Sequence, residues 1–350
     1  MNECIKINGR KIGSDFPPYI IAEMSANHNG SLDNAFKIID MAKASGADAV
    51  KLQTYRPDTI TLEMNTPEFM IQGGLWDGQS LYELYAGAYM PWEWHKPLFE
   101  HAERVGITIF SSPFDYTAVD LLEDLNVPAY KIASFEAIDL PLINYVAQTE
   151  KPMIISTGMA TEDEIHEAVE TAREGGCKQI AVLHCVSGYP APAEDYNLRT
   201  LSDMQEKLDV VLGLSDHTTD NITAISSIAL GASIIEKHVT LDRAGGGPDD
   251  SFSLEAKELK ELCMDAKTAW LALGRVDYQR KSSEQANAKF RRSLYFVKDI
   301  EAGEIITKDH VKSIRPGFGL APKYLEQIIG AKLSKKATFG TAVTWEHFDK

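Results

Sequence analysis

The sequence predicts an α/β protein: a (β/α)8 barrel over residues 1–275, a linker over 276–289 and a small module over 290–350. Three observations carry that expectation. Eight short apolar runs alternate with longer amphipathic segments, every run ends on polar side chains, and the sign of the charge changes near residue 288.

The runs are 19–22, 49–53, 107–110, 129–133, 153–156, 180–184, 210–214 and 233–237. Each is brief and almost free of polar interruption, as parallel strands covered by helices are. Helical patterns lie between them, for example 33–44, 117–125, 161–174 and 221–230. Thr161 and Glu164 have capping-box spacing. Gly46, Gly106, Gly175-Gly176 and Gly231 follow helical stretches, where a glycine ends a helix at low steric cost. Eight such units in roughly 250 residues suit a closed barrel. The rival is an open doubly wound sheet, but no GxGxxG turn follows the first run.

Composition bounds the rest. A chain of 350 residues suits one large domain and a small one, and 44% hydrophobic with 25% charged residues is ordinary for a soluble enzyme. No apolar run approaches a membrane span, and the first residues lack the order of a signal peptide, so a cytoplasmic protein is expected. Cys4, Cys177, Cys185 and Cys263 show no CxxC spacing and read as reduced thiols. The net charge of −16 speaks against a nucleic-acid or anionic-membrane partner. Residues 288–350 hold 12 Lys and Arg against 7 Asp and Glu, net +5, whereas the remainder is net −21. A basic module on an acidic body suggests electrostatic docking, and chance surface composition explains it equally well.

Two regions break the alternation. Residues 54–92 form an unusually long connection containing Gly73-Gly74-Leu75-Trp76-Asp77-Gly78 and Tyr82, Tyr85, Tyr89 and Trp92. Such an insertion suits a functional lid or a subunit contact. After Val276 the chain is polar, then 293–297 reads as a strand and 299–304 as a turn. About 60 residues make a marginal fold that needs support from the barrel or a second subunit.

Catalytic groups of a barrel sit where strands end. Here those ends carry Glu23; Lys51 and Gln53; Ser111 and Ser112; Lys131, Ser134 and Glu136; Ser156 and Thr157; Ser187, Gly188 and Tyr189; Ser215, Asp216 and His217; and Glu236 and His238. Core packing does not explain polar termini on all eight. His217 and His238 share the parity of Ser215 and Glu236 on neighbouring runs, and strands lie ~4.8 Å apart, so two imidazoles at matching heights could grip one ion. Two such ligands leave open positions, as a catalytic metal requires; two structural histidines are the alternative. Asp216 or Glu236 would then orient the imidazoles.

Lys51 and Lys131 are costly inside strands without an anionic partner. With the hydroxyls at Ser112, Ser134, Ser156 and Ser215 they suit a phosphate or carboxylate. Ion pairs with Glu23 or Glu236, or a Schiff base on either lysine, remain open. The loop Gly245 to Asp250 ends in carboxylates that phosphate would avoid and a sugar would not. His184-Cys185 point to opposite faces and read as core. His95, His101, His166, His310 and His347 lack motif context.

The segments Ile21-Ala22-Glu23-Met24-Ser25-Ala26-Asn27-His28-Asn29-Gly30, Lys51-Leu52-Gln53-Thr54, Tyr130-Lys131-Ile132-Ala133-Ser134, Gly213-Leu214-Ser215-Asp216-His217 and Glu236-Lys237-His238-Val239-Thr240 resemble, in order, the signatures of the sialic acid synthase family. Arg315-Pro316-Gly317 resembles that family's antifreeze-like (SAF) domain, so the likeness spans essentially the whole chain. Residues 75–82 with 91–95 resemble the family's pseudaminic acid branch.

The resemblance implies that phosphoenolpyruvate condenses with an open-chain amino-sugar aldehyde and phosphate leaves. The acceptor of that branch is 2,4-diacetamido-2,4,6-trideoxy-L-altrose. It further implies that Lys51, Ser112, Lys131, Ser134, Ser156 and Ser215 bind phosphoenolpyruvate, and that His217 and His238 hold Mn2+ or Mg2+. Glu23 and Glu136, with Lys131, carry the chemistry, and Gln53, Tyr189 and Asp249 face the sugar. Arg315 reaches the partner's barrel in a domain-swapped homodimer. Ser187 stands where the sialic branch usually has Asn, which weighs against N-acetylmannosamine as acceptor. An N-acetylneuraminate or legionaminate synthase is the near alternative; a Schiff-base aldolase or a non-catalytic sugar-binding protein is the distant one.

Overall fold

Alternation of apolar runs with amphipathic helices closes a barrel in the structure, a computed structural model that describes residues 4–348. A hairpin of β1 (Ile5–Ile7) and β2 (Arg10–Ile12) comes first. The barrel strands are β3 (Tyr19–Glu23), β4 (Ala49–Thr54), β5 (Thr108–Pro113), β6 (Tyr130–Ile132), β7 (Met153–Ser156), β8 (Ile180–Cys185), β9 (Val211–Asp216) and β10 (Ile234–His238). They pair in parallel in chain order, and β10 closes on β3. All eight apolar runs are therefore strands, and the expected fold class holds.

Each strand turns alternate residues to two cores. Ile20, Ala22, Val50 and Leu52 pack outward against helix residues such as Ile38, Ile39, Ala42 and Leu98. Tyr19, Ile21, Ala49, Ile154, Leu183 and Ile234 face inward near the strand starts, where Ile5, Ile7 and Ile12 of the hairpin join them. The hairpin thus closes the N-terminal end of the barrel. Asn8 (φ 44°) and Gly9 (φ 83°) are its turn, an Asn-Gly pair whose positive φ angles match the twist of a hairpin.

The local signals for helix ends are realised. Thr161 caps the helix Glu162–Glu174, and the Glu164 side chain accepts the Thr161 N–H at 2.7 Å. Gly46 and Gly106 end their helices in the left-handed conformation. Gly213 has a tighter reason to be glycine, because a Cβ there would lie 2.5 Å from both the Ile234 carbonyl and Leu183.

The long connection after β4 contains the helix Leu81–Ala88 and, before it, a small hairpin bridged between Met70 and Ser80. The chain divides into two compact units, one ending at Gly274 and one beginning at Arg275. In the second unit Ser282–Phe290 is an exposed 3-10 helix. β11 (Ser293–Phe296) pairs antiparallel with β12 (Val311–Ile314) over a core of Leu294, Phe296, Ile300, Ile306, Ile328 and Val343, among others. Among the described residues no helix is long and apolar enough to cross a membrane.

Candidate functional site

Inward-facing polar side chains begin where the apolar inner layer ends. Lys51 Nζ lies 3.1 Å from Glu23 Oε2, 3.4 Å from Glu236 Oε1 and 3.3 Å from Ser112 Oγ. Lys131 Nζ donates to Glu236 Oε1 at 3.1 Å, and Ser215 Oγ donates to the same oxygen at 3.2 Å. Closure of β10 onto β3 sets Glu236 and Glu23 on either side of Lys51. All four charged groups are buried. Burial pushes the Glu23 carboxyl up against the pull of Lys51. Burial would raise Glu236 as well, but Lys131 and Lys51 outweigh it and hold that carboxyl down.

Hydroxyls continue the wall. Ser134 Oγ accepts the Gly158 N–H at 3.1 Å, and Ser156 Oγ is buried without a hydrogen-bond partner. A Cβ on Gly158 would press into Ser187 Oγ and lie 2.7 Å from Ser134 Oγ, so the backbone is closely approached here. Hydroxyls gathered around a closely approached backbone, in the same barrel mouth as two ammonium groups, are chemically an anion cradle. Glu136, on the short turn after β6, is largely buried; burial pushes its carboxyl to about 7, and Oε2 has no partner.

The rings of His217 and His238 stand 5.3 Å apart, edge to face. His217 Nδ1 lies 2.8 Å from the Val186 carbonyl, a contact that assigns its proton to Nδ1 and leaves the Nε2 lone pair free. Burial, reinforced by His217 and Lys51, holds His238 well below the usual imidazole range, so it stays neutral. His238 Nδ1 has no hydrogen-bond partner and lies 3.7 Å from Asp249 Oδ2. Among the described residues no group of three or more His, Cys, Asp and Glu forms a cage. Two imidazoles and nearby carboxylate oxygen fit an open metal site, not a closed structural one.

Residues 38–278 match the NeuB family, and residues 291–349 match the SAF domain. The chain belongs to the NeuB family. A pseudaminic acid synthase of Campylobacter jejuni is 44% identical over 96% of this chain and 98% of its own. One of Helicobacter pylori is 43% identical over 95% and 98%. The crystal structure of an N-acetylneuraminic acid synthetase of Leptospira borgpetersenii, solved with citrate, superposes with a TM-score of 0.73 at 31% identity, covering 82% of this chain and 96% of that one.

The NeuB-family barrel sets Glu23, Lys51, Gln53, Ser112, Lys131, Ser156, Ser215 and His238 within or at the ends of its strands, and Ser134, Glu136, Tyr189, His217 and Asp249 on the segments that follow them. Gln53 Nε2 donates to Glu23 Oε1 at 2.9 Å, and the Tyr189 ring lies 4.5 Å from that of His217. Arg315 belongs to the second unit, where it is exposed just beyond β12. Asp216, expected to orient an imidazole, does something else. It faces outward and pairs with buried Lys237 at 2.8 Å.

Several residues of the site escaped the sequence reading. Ser25 donates to Asp249 Oδ2 at 2.5 Å and accepts from Gln53 at 3.0 Å, linking two sugar-side candidates. Cys185, set aside as core with His184, turns inward: its Sγ lies 3.4 Å from Ser134 Oγ and 3.9 Å from His217 Nδ1. Strand parity carried the signal, since Cys185 shares the face of Leu183. His184 does point outward, to the Tyr196 carbonyl.

Proposed function

We propose that this NeuB-family chain is a pseudaminic acid synthase. It condenses phosphoenolpyruvate with 2,4-diacetamido-2,4,6-trideoxy-L-altrose and releases phosphate. The observation that carries the reaction class is the meeting of two buried lysines with two imidazoles in one barrel mouth. The near-full-length identity to two pseudaminic acid synthases supports the choice of acceptor.

Lys51 and Lys131, with Ser112, Ser134, Ser156 and Ser215, hold the phosphate and carboxylate of phosphoenolpyruvate. Both ammonium groups already face carboxylates, so the incoming anion competes with Glu236 and Glu23 for them. Glu23, pushed up by burial, meets the added negative charge by holding a proton. His217 and His238 hold a divalent cation, Mn2+ or Mg2+, which when bound polarises the acceptor's aldehyde.

C3 of phosphoenolpyruvate forms the new carbon–carbon bond at the aldehyde carbon, whose oxygen takes a proton. The oxocarbenium-like centre left at C2 is captured by water, which loses one proton and becomes a C2 hydroxyl; cleavage of the bond from C2 to the phosphate oxygen then leaves the ketone, the hydroxyl proton passing to the departing phosphate. Glu23 and Glu136, the carboxyls that burial raises toward neutrality, supply the first proton and remove the second. Gln53, Tyr189 and Asp249 orient the sugar. We further assign 276–289 as linker, Arg315 as a contribution to the partner's barrel in a domain-swapped homodimer, and the cytoplasm as the compartment.

The test is phosphate release by the purified enzyme with a panel of acceptors. Turnover is expected with the L-altro sugar, to be lost on chelation and restored by Mn2+. Turnover with N-acetylmannosamine alone would overturn the acceptor, and borohydride trapping of pyruvate on Lys131 or Lys51 would replace the mechanism by that of an aldolase.

A further inference from the structure

The hairpin between Met70 and Ser80 reaches across the barrel mouth. Its arms are tied by Ile71 N–H to the Gln79 carbonyl at 2.9 Å and Gly78 N–H to the Ile71 carbonyl at 3.0 Å. Gly73, Gly74 and Gly78 take positive φ, and Asp77 Oδ1 accepts the Gly73 N–H at 2.6 Å. At the tip Leu75 and Asp77 are exposed while Trp76 between them is half-buried. Its indole N–H donates to the Pro248 carbonyl at 3.3 Å, 172 residues away, in the loop that follows β10.

The Trp76 ring lies 5.9 Å from that of Tyr189, and Tyr189 lies 5.5 Å from Phe252. Tyr189 and Phe252 in turn stand 6.3 Å and 5.2 Å from His238. Three aromatic rings from three separate loops therefore make one continuous apolar wall, which runs from the lid tip to the imidazole pair. The indole N–H is spent on backbone, so the ring offers the space beside it no hydrogen bond. Opposite in character are Asp249, Ser25 and Gln53, a linked polar set beside the same histidines.

We propose that Trp76 is the residue that selects the acceptor, closing this wall against the methyl groups of a 6-deoxy, diacetamido sugar and rejecting one that keeps its 6-hydroxyl. The inference rests on the synthase reading above and adds a specificity residue to it. An aromatic face rewards burial of C–H surface and leaves a hydroxyl without a partner. The polar set handles the groups that both kinds of sugar share. Anchoring to Pro248 also couples the wall to Asp249, the next residue, so a sugar that seats the lid seats the carboxylate.

The experiment compares full-length wild type, Trp76→Phe and Trp76→Ala with two acceptors, the L-altro diacetamido sugar and N-acetylmannosamine. In Trp76→Ala the KM for the deoxy sugar should rise ~10–200-fold, the worth of an apolar pocket contact in discrimination. The KM for phosphoenolpyruvate should stay within about twofold, and Trp76→Phe should recover most of the preference. An unchanged ratio of kcat/KM between the two sugars, in a wild type that prefers the deoxy one, overturns the role of Trp76 and leaves the synthase reading standing. An equal loss for both sugars and phosphoenolpyruvate also overturns it, since that is what collapse of the loop would do. A wild type that prefers N-acetylmannosamine overturns both.

Discussion

Two buried charge systems sit back to back on β9 and β10. On the outer face Lys237 Nζ donates to Asp216 Oδ2 and the Thr218 carbonyl at 2.8 Å each and to the Asp220 carbonyl at 2.6 Å. On the inner face, one residue away on each strand, Ser215 donates to Glu236, which meets Lys51 and Lys131. The outer system is saturated: Asp216 also accepts from the Thr218 N–H at 2.9 Å. The inner one leaves Glu236 Oε2 without a hydrogen-bond partner. Equal burial thus serves two ends. A saturated pair ties the strands that carry His217 and His238, and an unsaturated one keeps its charges available.

That contrast can be broken, and the largest effect should come from the outer pair. Lys237→Met leaves Asp216 buried and unpaired, so stability should fall by about 3–5 kcal/mol in urea denaturation. Adding Asp216→Asn should recover part of the loss. A cost below about 1 kcal/mol would mean that the outer pair ties nothing.

The inner system should respond in rate instead. Lys131→Met leaves Glu236 with Lys51 as partner, so stability should change less than in Lys237→Met. Phosphate release should drop on the order of 10²–10³-fold, as when a preorganised electrostatic contact is removed. Activity within tenfold of wild type, or unfolding as severe as in Lys237→Met, would erase the distinction.

The smallest effect sharpens the inner face further. Burial raises Glu136 from its ordinary value of 4.5 to about 7. A folded value above the unfolded one means stability present below pH 4.5 and lost as pH rises through about 7. Between pH 6 and 8 the loss should be about 1 kcal/mol in wild type and absent from that position in Glu136→Gln. Any matching loss from Glu23 is common to both proteins and cancels. Parallel stability–pH curves would show that Glu136 is solvated.

Much of this was legible in the sequence, for a physical reason. A period of two assigns the inner face of each strand, so Lys51 with Gln53, Ser215 with His217 and Glu236 with His238 could be read as facing one lumen. The same rule marked Cys185, which its neighbour His184 obscured. The Asn8-Gly9 turn was equally visible, but strands of three residues give periodicity too little to work on. Other contacts were illegible because they depend on closure. Glu23 and Glu236 flank Lys51 only because the first and last barrel strands pair. Trp76 meets Pro248 across 172 residues, and nothing local to either predicts that. Asp216 was assigned to the wrong side of its strand's business for a related reason: its partner Lys237 becomes adjacent through the β9–β10 register.

The hairpin at the start of the chain has a last consequence. With Ile5, Ile7 and Ile12 filling the far end, the lumen is a blind alley, and everything that enters must back out by the same door. The lysines stand within the strands and the aromatic wall on loops beyond them. On the proposed reading, depth would set an order of entry, the anion held by the lysines before the sugar that the outer wall receives.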